Sequence, residues 1–87
     1  MSEAKFIPSA LDALDAAVAR NPRLGDRLDE AIDWIEADPP SVLAKRRAWP
    51  GGRFGIDVRG GGEDYVVIWE DTKPPIVLYV GDPASLG

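Results

Sequence analysis

The sequence predicts an α+β domain: an N-terminal helical hairpin packed on a twisted antiparallel β-sheet of three to four strands. Three observations predict it. Apolar residues recur at spacings of three and four as far as Ile35. Asp38-Pro39-Pro40 then interrupts the pattern. Beyond it, short apolar stretches alternate with polar residues or run on unbroken, and Gly and Pro clusters separate them.

The first helix is expected to start at Pro8-Ser9, with Ser9 as N-cap and Asp12 in the first turn, where its charge suits a helix N-terminus. Leu11, Leu14 and Val18, with Ala10, Ala13 and Ala17 beside them, make its apolar stripe. Asp12 and Asp15 keep to the water side. Asn21-Pro22 ends this helix and opens the next, because Asn caps and Pro is tolerated at the first helical position. Leu24, Leu28, Ala31, Ile32 and Ile35 form the second apolar stripe, with Asp29, Asp33 and Glu36 facing away. Two amphipathic helices joined this tightly read as a helical hairpin.

Ala44 to Trp49 is the first expected strand after the helices, and Pro50-Gly51-Gly52 the turn that follows. Phe54, Ile56 and Val58 alternate with Gly55, Asp57 and Arg59, as a half-buried strand requires. Gly60-Gly61-Gly62 reads as a hairpin turn, since a strand follows it; a phosphate-binding loop needs a helix there. Tyr65 to Trp69 and Ile76 to Val80 are apolar on both faces, with the turn Asp71 to Pro75 between them. Short connections between consecutive strands imply an antiparallel meander. Lys5-Phe6-Ile7 is a further candidate strand at an edge.

Residues 1–87 suit one small domain, and a domain of this size gains from a partner or a second copy. No apolar run approaches the roughly 20 residues of a membrane helix, and no apolar stretch of a signal peptide follows Met1 to Lys5, so a cytoplasmic protein with no membrane partner is expected. The chain has no Cys and no His, which removes thiolate chemistry, disulfides, the commonest general base and the commonest metal ligand. No carboxylate spacing selects a metal site, so no cofactor and no metal are expected.

Net charge is −5, which argues against nucleic acid as a partner of the free protein. The charge is polarised. Residues 1–41 carry a net −5 and residues 63–87 a net −4, whereas 42–62 carry a net +4 from Lys45, Arg46, Arg47, Arg53 and Arg59 against Asp57. This basic strip can contact phosphate or an acidic partner, and it can equally serve as charge on an edge strand that prevents aggregation.

Three segments resemble the RelE/ParE superfamily of bacterial toxins. Lys5-Phe6-Ile7-Pro8-Ser9-Ala10-Leu11 resembles the family's opening strand and the start of its first helix. Lys45-Arg46-Arg47-Ala48-Trp49-Pro50 with Phe54-Gly55-Ile56-Asp57-Val58-Arg59 resembles its first two hairpin strands. Glu63-Asp64-Tyr65-Val66-Val67-Ile68-Trp69-Glu70, with Ile76 to Gly81, resembles its last two. The resemblance implies a toxin-type protein of a toxin–antitoxin system. Nuclease members use basic residues on the open sheet face to cleave ribosome-bound mRNA. Here Val66 stands where such members carry Arg, Gly55 and Asp57 where some carry Lys, and Asp82 and Pro83 where a basic pair closes the last strand. A further catalytic Tyr of some members has no counterpart up to Gly87. Arg47 and Arg59 are the basic positions that persist. The implied activity is therefore protein binding without RelE-type cleavage, and no catalytic residue is assigned. A non-toxic interaction module is the alternative, and a weak ribosome-dependent ribonuclease comes third.

Strand parity puts Tyr65, Val67 and Trp69 on one face and Val66, Ile68 and Glu70 on the other. The resemblance places the Tyr65 side against the helices. Val66 and Ile68 then point to the open face, joined by Val77 and Tyr79, while Ile76, Leu78 and Val80 enter the core. Those four form an expected exposed apolar patch of roughly a few hundred Å², the size at which such surface signals an interaction. Arg59 lies at its rim. The expected partner is an antitoxin-like protein or a second copy, unless Pro83 to Gly87 or Lys5 to Ile7 covers the patch.

Overall fold

The computed structural model describes residues 3–37 and 47–86. The fold is α+β: a short strand β1 (Lys5–Phe6), helices α1 (Pro8–Arg20) and α2 (Pro22–Ala37), strands β2 (Arg47–Trp49), β3 (Arg53–Gly60), β4 (Glu63–Glu70) and β5 (Ile76–Gly81), and a 3-10 turn, Pro83–Leu86. The sheet has five strands in the order β1-β5-β4-β3-β2. Strands β2 to β5 form the expected antiparallel meander. The sheet as a whole is mixed, because β1 pairs parallel to β5, with Lys5 opposite Ile76 and Phe6 opposite Val77. The edge strand Lys5–Phe6 thus raises the strand count to five and supplies the sheet's parallel pair.

Helix α1 begins one residue before the expected cap. Ile7 occupies the N-cap position without a side-chain cap, and its carbonyl accepts from the amides of Ala10 and Leu11 at 3.0 and 3.1 Å. Pro8, with φ fixed near the helical value, takes the first helical position instead. The buried stripe of α1 is Ala10, Leu14 and Ala17. Leu11 and Val18, 43% and 39% exposed, flank it. Small residues at the contact let α1 lie close to its neighbours, which leaves the larger side chains at the margin. Asn21 joins the helices as read from the sequence: its backbone amide closes α1 on the Ala17 carbonyl at 2.8 Å, and its Oδ1 accepts from the Leu24 amide at 3.3 Å. Leu24, Leu28, Ala31, Ile32 and Ile35 are all buried. Glu36 does not face away; its Oε2 accepts from the Ala4 amide at 2.7 Å and ties the start of the chain to α2.

Both helices pack on one face of the sheet. The core there holds the α2 stripe with Ile56, Val58, Val67, Trp69, Val77 and Val80. Phe54 and Tyr65 pack against it, the Phe54 ring lying 5.5 Å from that of Trp69. The β3–β4 hairpin turns through Gly61 and Gly62 at φ 57° and 81°, a backbone conformation that favours glycine. Among the described residues, no helix is long and apolar enough to cross a membrane.

Candidate functional site

The face of the sheet away from the helices is where the expected site residues must meet. Register decides which do. Ile68 lies opposite Gly55 on β3 and Tyr79 on β5; Val66 lies opposite Asp57 and Gly81. Val66 and Ile68 are outside the helix-side core, so parity places them on the far face as expected. They are nevertheless buried, at 0% and 5% exposure, and form no exposed patch.

Two aromatic side chains help explain that burial. Gly55 and Gly81 leave gaps on either side of β4, and each gap holds a ring. A β-carbon on Gly55 would fall 2.8 Å from Cδ1 of Trp49, so the indole lies directly over that glycine. A β-carbon on Gly81 would fall 2.7 Å from the Tyr79 hydroxyl oxygen, so the phenol lies over that one. The Tyr79 hydroxyl donates to the Asp82 carbonyl at 2.9 Å, and the Ala84 amide to Asp82 Oδ1 at 2.8 Å. The 3-10 turn that follows packs against β4. The Trp49 Nε1–H is buried without a hydrogen-bond partner.

Val77 is not on this face. It pairs with Trp69 and belongs to the helix-side core. The reason is a β-bulge: Ile68 pairs with Tyr79 and Trp69 with Val77, so Leu78 is an extra residue. One inserted residue reverses the alternation on its N-terminal side. Val77 therefore turns inward, and Ile76, opposite Glu70, turns outward.

The basic strip folds into a mixed-charge surface. Arg47 Nη2 pairs with Asp57 Oδ1 at 3.4 Å, and the Arg47 guanidinium carbon sits 4.9 Å from the centre of the Trp49 ring. Arg59 Nε pairs with Asp64 Oδ1 at 3.2 Å, with the Arg59 side chain 82% exposed. Arg53 lies opposite Glu70 in the register. Lys45 and Arg46 lie outside the described residues. A hollow of about 430 Å³ brings Arg47, Asp57, Arg59, Asp64, Tyr65 and Pro83 together at the end of this face. A second, of about 390 Å³, runs round the strand edge to Arg23, Asp26, Arg27 and Glu30 of α2. Neither hollow is lined by one sign of charge. Among the described residues, no three His, Cys, Asp or Glu side chains gather as metal ligands.

A separate polar cluster, which the sequence reading did not single out, pins the helical hairpin to the β3–β4 hairpin. Glu63 Oε2 accepts from Arg20 Nη1 and from Asn21 Nδ2, both at 2.7 Å, and Arg20 Nη2 donates to the Tyr65 hydroxyl at 2.9 Å. The hydrogen bond from Arg20, then that from Asn21, holds the Glu63 carboxyl below its ordinary pKa. The same bond to Glu63 raises Arg20. Nothing in local spacing signals this cluster, since Arg20 and Asn21 lie more than forty residues from Glu63 and Tyr65.

No protein-family model, no curated protein and no solved structure matches the chain.

Proposed function

We propose that this chain is a RelE/ParE-like, toxin-type protein of a bacterial toxin–antitoxin system, acting in the cytoplasm by binding protein and without RelE-type mRNA cleavage. The observation that carries this reading is the pairing of Arg47 with Asp57 and of Arg59 with Asp64. These are the two basic positions that the resemblance retains, and each already faces a carboxylate. Exposed pairs of this kind contribute only about 0–1 kcal/mol, so they would not by themselves keep a phosphate out. They do cancel the local positive charge that gathers a polyanion, in a chain whose net charge is −5. The chain also has no His, and Val66 stands buried where the nuclease reading needs a basic group. Trp, Tyr and Arg beside opposite charges suit a protein surface, where these residues carry much of the binding energy.

A non-toxic interaction module is the second reading. The burial of Val66 and Ile68 by the chain itself favours it, because the apolar centre of the far face does not stand ready for a target. Induced expression in a bacterial host separates the two. Growth arrest without codon-specific cuts in translated mRNA is the expected outcome. Unimpeded growth supports the second reading. Cuts that Arg59→Ala abolishes would overturn both and assign a ribonuclease.

A further inference from the structure

Among the described residues, the exposed large apolar side chains are Ile7, Leu11 and Val18, at 36%, 43% and 39%, and all three belong to α1 or its N-cap. With the buried Leu14 they stand at positions i, i+4, i+7 and i+11, which is one stripe down the helix. Helix α2 repeats that spacing at Gly25, Asp29, Ile32 and Glu36. Two contacts set the stripes side by side and antiparallel. A β-carbon on Gly25 would fall 2.9 Å from Val18 Cα, and Glu36 Oε2 accepts from the Ala4 amide at 2.7 Å. The crease between the helices thus runs from Val18 and Gly25 to Ile7 and Glu36, a length of about 16 Å at 1.5 Å per residue.

The charge along this crease has one sign. Residues 6–19 and 28–37 hold no Lys or Arg, against Asp12, Asp15, Asp29, Glu30, Asp33 and Glu36. Arg27 pairs with Glu30, and the Ala4 amide occupies Glu36. Asp15, Asp29 and Asp33 are exposed, flank the crease by helical spacing, and have no basic partner among the described residues.

We propose that this crease docks a basic amphipathic helix of another protein, about three turns long, whose apolar side chains meet Ile7, Leu11 and Val18 and whose Lys or Arg side chains meet Asp15, Asp29 and Asp33. The inference rests on the protein-binding reading above and names the chemistry of the partner. Charge complementarity selects the occupant. A second copy would set acid against acid, and nucleic acid or an anionic membrane would meet the same repulsion. A cationic partner gains at each flank. A helix fits where an extended segment does not, because both walls are helices whose backbone groups bond internally and offer no ladder to a strand. The space between two helices instead accepts the side-chain ridge of a third. The apolar stripe is narrow, so the binding draws on charge and weakens with salt.

Fluorescence anisotropy tests this on the full chain with a labelled probe peptide of about fourteen residues, with Leu at helical spacings of three and four and Lys on its flanks. A second probe carries Glu in place of Lys. The Lys probe is expected to bind with a dissociation constant of about 10–100 μM at low salt, and the Glu probe not to bind. Leu11→Ser with Val18→Ser should weaken the Lys probe at least about tenfold, and Asp29→Lys with Asp33→Lys should do the same. Asp57→Lys with Asp64→Lys makes the same change of net charge at exposed positions on the sheet, and should weaken it less than about threefold. Equal losses from the two charge-reversed pairs would overturn the proposal, because they would show attraction to net charge alone. So would an unchanged affinity in the Leu11 and Val18 variant, or no binding of the Lys probe at about 1 mM. Dimerisation of the protein alone that Leu11→Ser abolishes would overturn it in favour of a second copy. Should a crease variant lose its native circular dichroism, a nitroxide on the Lys probe decides with the unaltered chain. Broadened amide signals along α1 and α2 support the crease, and broadening elsewhere overturns it. Growth arrest is read in cells, so its absence would sink the toxin reading and leave this result standing.

Discussion

Gly55→Ala measures how firmly Trp49 closes the far face. Gly55 is buried, with Arg47 opposite it on one side and Ile68 on the other. The added methyl would lie 2.8 Å from Trp49 Cδ1 and closer still to Nε1. Carbon atoms in good contact sit about 3.5–4.0 Å apart, so the indole must retreat by about 1 Å or rotate away. Overpacking of this kind costs about 1–3 kcal/mol. Replacing a glycine returns about 0.4–1 kcal/mol through the unfolded chain. The net expectation is a loss of about 1–2 kcal/mol, read as a fall in Tm of roughly 5–15 °C for a domain of this size. Urea and thermal unfolding followed by circular dichroism measure it. The same substitution in a Trp49→Ala background meets no indole there and should be neutral, or stabilising by up to about 1 kcal/mol. An equal loss in both backgrounds would refute the ring-over-glycine contact as the cause.

Glu63 gives the fold a defined acid sensitivity. Its folded pKa is lowered below the ordinary 4.5 by Arg20 and Asn21, so its contribution is complete above that value and disappears as pH falls through the folded pKa. Glu63→Gln should therefore flatten the loss of stability below pH 4.5; an unchanged slope in denaturation midpoints against pH would count against the cluster. Ile68→Glu should behave as a core change. A carboxylate forced into this 5%-exposed position lacks a partner and should cost about 3–5 kcal/mol, visible as partial unfolding at room temperature. Native-like stability of that variant would show that the face opens freely.

The parts of the fold that the sequence discloses are those governed by one period at a time. The α2 stripe follows the helical spacing without a break, and every one of its five apolar positions is buried. Asn21-Pro22 is equally plain, because capping needs only neighbours in sequence. Parity fails where the period itself breaks. Counting by twos along Ile76 to Val80 runs straight through Leu78, and the bulge there sends Val77 inward and Ile76 outward. The parallel contact of β1 with β5 is two residues long, too short for any pattern to announce its direction. The rings over Gly55 and Gly81 were hidden for another reason. On an exposed sheet face apolar residues read as a patch, and only the register shows which side chain lies over which gap. The Arg20–Glu63–Asn21 cluster depends likewise on where a hairpin lands against a helix junction.

The same dependence on register governs the charge. In sequence the residues 42–62 form a basic block between two acidic ones. A nucleic-acid surface would require that block to survive folding as a patch. Among the described residues it does not survive. The β2–β3 hairpin sets Asp57 beside Arg47, and the β3–β4 hairpin sets Asp64 beside Arg59 and Glu70 opposite Arg53. Arg47, Arg53 and Arg59 thus each gain an acidic neighbour from within their own strand pair or the next. Linear polarisation becomes alternation across one face. An alternating face has little long-range field, since opposite charges a few ångströms apart cancel beyond about one Debye length of 8–10 Å. It cannot steer a polyanion from a distance, yet at contact it can discriminate sharply, because every misplaced charge meets its like. Such a face attracts little at range and selects at contact.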